Sequence, residues 1–236
     1  TLALTHRVSV YGNYGRGFQT GTGLAAYGRQ PTSGPPLTWS KNDGYEGGLV
    51  LQPTATWSLR AGAWRQDATD EVRLRFDNSG DSENVGRTRR TGVDVESTLQ
   101  LGRGLSVWGA LTTQRAILVE PGARAPQLRG NRLNQVPAWT AKYGADWTAA
   151  RRVTASFWAY GQDDYFLSDD NTRPTFGGYT AVNADFSVRL AHGVGVGLAV
   201  QNLFDRYYEF VWLDGATTRH SPANPRSLFL TMRFDR

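Results

Sequence analysis

Three histidines, His6, His192 and His220, and no cysteine make up the soft-ligand and general-base inventory of this 236-residue chain. A catalytic serine needs a histidine within hydrogen-bond reach and a carboxylate orienting that histidine. His192 falls in a short turn and His220 in a long connection, at opposite ends of the strand layout described below, so the two do not share a site. The lack of cysteine removes disulfides and thiolate metal sites. The paired acids Asp163-Asp164 and Asp169-Asp170 offer oxygen ligands of the type Ca²⁺ takes, although loop acids of this kind are more often simply solvated. Positive charge is almost all arginine, Lys41 and Lys142 being the only lysines, and the net charge is +5. It is spread without a basic run, which argues against nucleic acid as a partner. Arginine's planar fork matches carboxylate or catecholate oxygens and stacks on rings, and aromatic side chains give rigid contact area. In and beside the long connections these two types are interleaved. Trp39, Arg115, Tyr160, Tyr165, Phe166, Arg173, Tyr207, Tyr208 and Trp212 are the candidate ligand-binding residues, with Arg29, Arg87, Arg124, Arg129, Arg132 and Arg219 around them.

The elements that must position them read as strands. Apolar and polar residues alternate with a period of two, and helical spacing is never sustained. Leu228, Leu230, Met232 and Phe234 oppose Ser227, Thr231 and Arg233. Val194, Val196, Leu198 and Val200 oppose Gly195, Gly197, Ala199 and Gln201. The same holds for Val182 to Val188, for Trp139 to Trp147 and for Val93 to Leu101. Weaker versions cover 7–16, 44–52, 55–76, 105–116 and 152–166, giving about ten strands. No stretch approaches the roughly 18 continuous apolar residues of a membrane-spanning helix. Short turns near Pro53-Thr54, Gly102-Arg103-Gly104, Ala149-Ala150-Arg151 and Ala191-His192-Gly193 alternate with connections near 18–42, 77–83, 117–136, 167–177 and 204–226. In an up-and-down meander all the short turns then fall at one end, as in a transmembrane barrel. Within the middles of these strands, Glu46, Arg60, Asp94, Glu96, Lys142, Asp146, Asp185 and Arg189 all sit on the parity opposite the apolar set. Aromatics gather near strand ends on the apolar parity: Trp57, Trp147 and Phe234 toward the short turns, Tyr14, Tyr45 and Trp139 toward the long connections. This is the placement of interfacial girdles. Alternation by itself leaves a soluble sandwich or barrel open, with the apolar parity turned inward.

Val200-Gln201-Asn202-Leu203-Phe204-Asp205-Arg206-Tyr207-Tyr208 resembles the segment that opens the last outer loop of TonB-dependent outer-membrane receptors. Ser221-Pro222-Ala223-Asn224-Pro225-Arg226-Ser227 and the strand after it resemble that family's C-terminal run. Tyr14-Gly15-Arg16-Gly17-Phe18, Gly44-Tyr45-Glu46-Gly47-Gly48 and Asn84-Val85-Gly86 leading to Thr91-Gly92-Val93-Asp94-Val95-Glu96 are similar to other strand openings of the family, in its order. Val136-Pro137 and Gly178-Tyr179 also stand at family-like strand starts. The resemblance implies an all-β fold, an antiparallel up-and-down transmembrane β-barrel with about ten strands here, part of a barrel of about twenty-two. It implies that residues 1–236 are the C-terminal portion of that barrel, the plug domain not being among them. The implied function is binding and import of a scarce ligand, a ferric siderophore first of all, powered by the TonB complex through the plug. The implied place is the bacterial outer membrane, with lipid and lipopolysaccharide as further partners, no catalytic residues, no metal site and no cofactor. Phe234 holds the alternation of a terminal aromatic, although Asp235-Arg236 follow it.

Three readings stay open on sequence. A receptor for cobalamin or another metal chelate shares every feature above; haem is disfavoured because the family's haem motifs are missing. A passive porin-like barrel would need no plug and no tight ligand. A soluble β-protein would bury the apolar parity. For any single arginine, contact with lipopolysaccharide phosphate competes with ligand binding, and for the tyrosines and Trp212 loop packing does.

Overall fold

The computed structural model describes residues 1–19, 36–74, 81–123, 125–150, 152–172, 175–190, 193–214 and 217–234. Arg29, Arg124, Arg173 and His192, singled out above, lie outside the described residues. In chain order the strands are β1 (Leu2–Thr5), β2 (Val8–Gln19), β3 (Ser40–Thr54), β4 (Trp57–Leu74), β5 (Ser82–Gly102), β6 (Leu105–Glu120), β7 (Trp139–Ala149), β8 (Val153–Gln162), β9 (Tyr165–Phe166), β10 (Thr175–Phe176), β11 (Tyr179–Arg189), β12 (Val194–Gln201), β13 (Glu209–Asp214), β14 (Thr217–Pro222) and β15 (Ser227–Phe234). Eleven of them form one antiparallel sheet in the order β1-β2-β3-β4-β5-β6-β7-β8-β11-β12-β15, a meander whose spatial order follows the chain. β9 with β10 and β13 with β14 are separate hairpins within the last two long connections. Among the described residues β1 and β15 are free edges, so the sheet is an open arc of barrel wall.

The ten long strands are those the alternation predicts, with two corrections. The short strand β1 adds an edge that the sequence pattern did not suggest. The run 152–166 is not one strand, because β8 stops at Gln162 and Tyr165–Phe166 belong to a loop hairpin. The break falls at the two acids. Asp163 N–H donates the last bond to Trp139 O, and Asp164 turns away to accept from Gly178 N–H at 2.8 Å. The turns at the β1, β3–β4, β5–β6, β7–β8 and β11–β12 ends are short and all lie at one end of the sheet. At β5–β6 the chain reverses through Gly102 (φ 87°), Arg103 (φ 52°) and Gly104 (φ 78°), three consecutive left-handed residues that explain the glycines there. β4 and β5 run for 18 and 21 residues, well past the 9–11 or so that span a bilayer, so their upper halves rise into the long-connection end.

Directly paired residues point to the same face of a sheet. One rung runs Trp57, Leu99, Val107, Ala145, Phe157, Ala184, Val200, Leu228 and is apolar across eight strands. This face is bare: Phe157 is 49% exposed and Leu230 74%, and no described element covers them. The apolar zone also descends across the rungs. On β2 and β3 it reaches up to Tyr14 and Tyr45, whose rung crosses β4 at Arg65. On β15 it ends at Leu228, whose rung crosses β4 at Trp57. A level apolar belt drawn over strands tilted by roughly 35–45° has this form. The opposite face carries paired polar groups. Tyr11 and Arg60 both hold Glu46, Thr112 donates to Asp94 at 2.7 Å, and Trp108 Nε1–H donates to Asp146 at 2.7 Å. The long connections fold over this polar face. Leu128 and Leu133 pack with Ala116 and Leu118 of β6, while β6 pairs onward with the chain at Arg132.

Candidate functional site

Four connections meet above the polar face and are tied by side chains rather than by strand pairing. Arg73 at the top of β4 donates to Asp169 at 2.8 Å, both side chains being 13% exposed. Asp169 also accepts from Asn134 N–H at 2.7 Å, and its carbonyl accepts from Asn131 Nδ2. Arg132 N–H donates to Asn171 Oδ1 and receives the return bond on its own carbonyl, each at 2.8 Å. Glu71 takes Arg90, Thr88 and Arg73. These bonds join the β4–β5, β6–β7 and β8–β11 ends into one roof. Three of the four acids read as possible Ca²⁺ ligands have other partners: Asp169 serves Arg73, Asp170 accepts from Ser168 and Thr172, and Asp164 holds Gly178. Among the described residues no group of three or more His, Cys, Asp or Glu could hold a metal ion.

The last connection is clamped at its root. Asn202 is 4% exposed, sits at φ 51°, accepts from Arg206 N–H and donates to the carbonyls of Arg206 and Asn224. Asp205, also left-handed, accepts from Arg226 N–H at 2.8 Å. A short amide or carboxylate that tolerates positive φ is what such a clamp requires. From it the β13–β14 hairpin leans over β8 and β11. Tyr165 is buried, and its hydroxyl accepts from Val211 N–H at 3.0 Å and donates to Val211 O at 3.1 Å.

Beneath this hairpin the polar face carries an aromatic tract. Lys142 Nζ lies 4.7 Å from the Trp158 ring centroid and 5.6 Å from that of Trp108, and among the described residues no carboxylate pairs with it. Tyr160 is 5.6 Å from Trp158 and meets Tyr179 edge-on at 5.8 Å. Tyr208 stacks on Tyr179 with centroids 4.1 Å apart and shares a 2.7 Å hydrogen bond with Tyr160. Burial and that bond push the Tyr208 hydroxyl up from its ordinary pKa, so it stays protonated and serves as a hydrogen-bond group, not as a phenolate. A hollow of about 320 Å³ is lined by Thr112, Thr140, Lys142, Tyr160, Gln162 and Tyr179. A second of about 350 Å³, also touching Gln162, lies under Phe210, Val211 and Trp212. An ammonium that no carboxylate among the described residues pairs, flat ring faces and neutral donors suit a rigid anionic ligand.

The sequence-predicted residues divide accordingly. Tyr160 and Tyr208 come together, and Trp212 lines the upper hollow. Tyr165 packs in the loop core and also lines the upper hollow, and Phe166 lies under the Arg132 guanidinium at 5.7 Å. Tyr207 is exposed and donates to Glu209 at 2.9 Å. Trp39 packs edge-on against Phe18 at the start of β3, with β4 to β7 between it and β8. Arg115 pairs across from Thr91, on the apolar parity and away from the tract. Arg173 lies outside the described residues. Sequence reasoning missed Trp108, Lys142, Trp158, Tyr179 and Phe210. The signal for three of them was present, since Trp108, Lys142 and Trp158 are large groups on the polar parity of their strands.

An arc of antiparallel strands, bare and apolar on one side, polar and roofed by loops on the other, is a section of β-barrel wall. Residues 1–203 match the family model described as TonB dependent receptor-like, beta-barrel, and the chain belongs to that family of outer-membrane transport receptors. No curated protein matches the sequence. Among solved structures, the ferric yersiniabactin uptake receptor of Yersinia pestis superposes with a TM-score of 0.80 at 21% identity, over 99% of this chain and 36% of that one. The ferric-catecholate import receptor of E. coli K12 gives 0.75 at 22% identity, over 98% and 33%. A ferric citrate transporter gives 0.80 at 18% identity, over 98% and 36%. The chain thus spans about a third of the length of these proteins, and the likeness is one of fold. In such a barrel the polar face lines the lumen and the apolar face meets lipid.

Proposed function

We propose that residues 1–236 are the C-terminal portion of the barrel of a bacterial outer-membrane receptor that binds a ferric siderophore and imports it with energy from TonB, passed on by a plug domain contributed from outside these residues. The reading rests on the family and on one observation. The loop roof lies over a tract of the polar face that holds Lys142, paired with no carboxylate among the described residues, among Trp108, Trp158, Tyr160, Tyr179 and Tyr208. A passive pore gains nothing from such a roof, whereas a receptor needs a shaped, partly dry site. Lys142 would meet anionic oxygens of the chelate, and the tyrosine hydroxyls and Gln162 would orient it.

The test is a titration of the full-length protein with ferric siderophores of the catecholate, hydroxamate and carboxylate types, read by tryptophan fluorescence. Quenching at micromolar ligand is expected, because Trp212 lines the upper hollow and Trp158 lies against Lys142, which lines the lower one. Lys142→Gln should weaken it about tenfold, the value of one charge-assisted contact. Unchanged fluorescence with all three types would refute the siderophore reading.

A further inference from the structure

Gln162 lines both hollows, and its amide is held in one orientation. At the end of β8 it pairs with Thr140 of β7 on one side and with Tyr179 of β11 on the other. Its Nε2 donates to Gly177 O at 3.0 Å. A carbonyl oxygen only accepts, so the amide nitrogen stays toward Gly177 and the amide oxygen turns away from it. Gly177 is itself fixed, at φ 86°, where a Cβ would run into the Tyr165 ring. Gln162 Oε1 has no hydrogen-bond partner among the described residues. The place where the two hollows meet therefore presents a half-buried acceptor in a set position.

The hollows on either side of it differ in kind. The lower one holds Lys142, whose ammonium leans away from Gln162, toward Trp158 and Trp108 on the rung below. The upper one is lined by Pro137, Tyr165, Phe210, Val211 and Trp212, with the amides of Gln135 and Gln162 and no charged side chain. From bottom to top the site offers a cation, an acceptor and apolar rings. A molecule that fills both hollows presents the complement: an anion, a donor and an apolar arm. Because the molecule continues on both sides of Gln162, its donor belongs to a linkage and not to a chain end. A secondary amide is a linkage that donates, whereas an ester or an ether only accepts.

We propose that Gln162 determines specificity and that the ligand is an anionic ferric chelate carrying an apolar arm through a secondary amide. The amide N–H donates to Gln162 Oε1, the chelating head lies toward Lys142, and the arm lies under Phe210, Val211 and Trp212. This rests on the receptor reading above and narrows its ligand by the linkage, whichever group binds the iron. A chelate that cannot donate at that point leaves the Gln162 oxygen covered and unpaired, which selects against it.

The probes are ferric chelates with catecholate, hydroxamate and carboxylate heads, each made in three forms. One form is bare, one carries a phenylacetyl arm on a side-chain amine, and one has that arm's amide N-methylated. Binding to the full-length protein in detergent is measured with radioiron. For the head that binds, wild type should take the N–H form about tenfold more tightly than the N-methyl form, the usual value of one buried hydrogen bond. Gln162→Met, close in length and without an amide, should bring that ratio to about one; a ratio is insensitive to a general loss of affinity. Trp212→Ala should weaken the armed form more than the bare one. Equal binding of the N–H and N-methyl forms to wild type would overturn the inference. So would a ratio that survives Gln162→Met, or bare and armed forms that bind alike. In those cases a bare chelate still binds and the receptor reading stands; failure of every form of every head would remove both.

Discussion

Tyr165 and Tyr208 stand in the last two long connections, one in each, yet do different work, and neighbouring atoms decide which. The Tyr165 hydroxyl satisfies both backbone groups of Val211 in a buried cluster with Leu167. Tyr165→Phe would leave that N–H and carbonyl unpaired, at a cost of about 1–3 kcal/mol to docking of the β13–β14 hairpin. Hydrogen exchange should show the Val211 amide accelerating while strand amides of β4 to β7 do not change. A second residue-scale expectation concerns Glu209. Hydrogen bonds from His220 and then Tyr207 hold its carboxyl below the ordinary value of 4.5. A carboxyl whose pKa is lowered on folding contributes stability above its unfolded pKa and loses it as pH falls through the folded one. Protease nicking of the hairpin should therefore stay constant from neutral pH down to about 4.5 and rise only below that. A rise setting in well above that pH would contradict the assignment.

At the scale of the strands, lumenal rings lie across glycines of the next strand. Trp64 covers Gly92, Tyr11 covers Gly48 and Gly62, and Trp108 reaches over Gly144. A Cβ on Gly92 would press into the Trp64 ring and stand 2.7 Å from Thr113 O. Gly92→Val is expected to destabilise the barrel by about 1–3 kcal/mol through overpacking. Gly15→Ala, where a Cβ meets nothing within 4 Å, should stay within about 0.5 kcal/mol. Urea unfolding of the full-length protein in lipid separates the two, and equal effects would refute the ring-over-glycine account. The strands were legible because alternation is local: Val194 to Val200 declares both faces of β12 without reference to any partner. The hairpins β9–β10 and β13–β14 were not, since two-residue and six-residue strands take shape only when Tyr165 and Val211 meet, 46 positions apart.

Taken as one object, the wall separates a hydrocarbon-facing side from a water-facing one, and neighbouring positions on one strand should respond oppositely. Leu198 belongs to the bare apolar face and Ala199 pairs with Asp185 on the polar one. Leu198→Arg should cost about 2–4 kcal/mol in the bilayer. Ala199→Arg gains a carboxylate opposite and should assemble and unfold much as wild type does. Comparable losses for both, measured by unfolding from lipid vesicles, would reverse the assignment of faces.

Sequence alone determined the strand ladder, the two parities, the alternation of short and long connections and the family resemblance, because a β-strand sends successive side chains to opposite sides whatever surrounds it. It also determined that, in the middles of the strands, charge avoids one parity. Only the tertiary structure decided which loop residues converge. Tyr208 reaches Tyr160 and Tyr179, Trp39 stays apart from them with four strands between it and β8, and Arg115 turns outward above the apolar zone. Those outcomes depend on shear between strands and on side-chain contacts between segments far apart in the chain. No local period encodes such contacts.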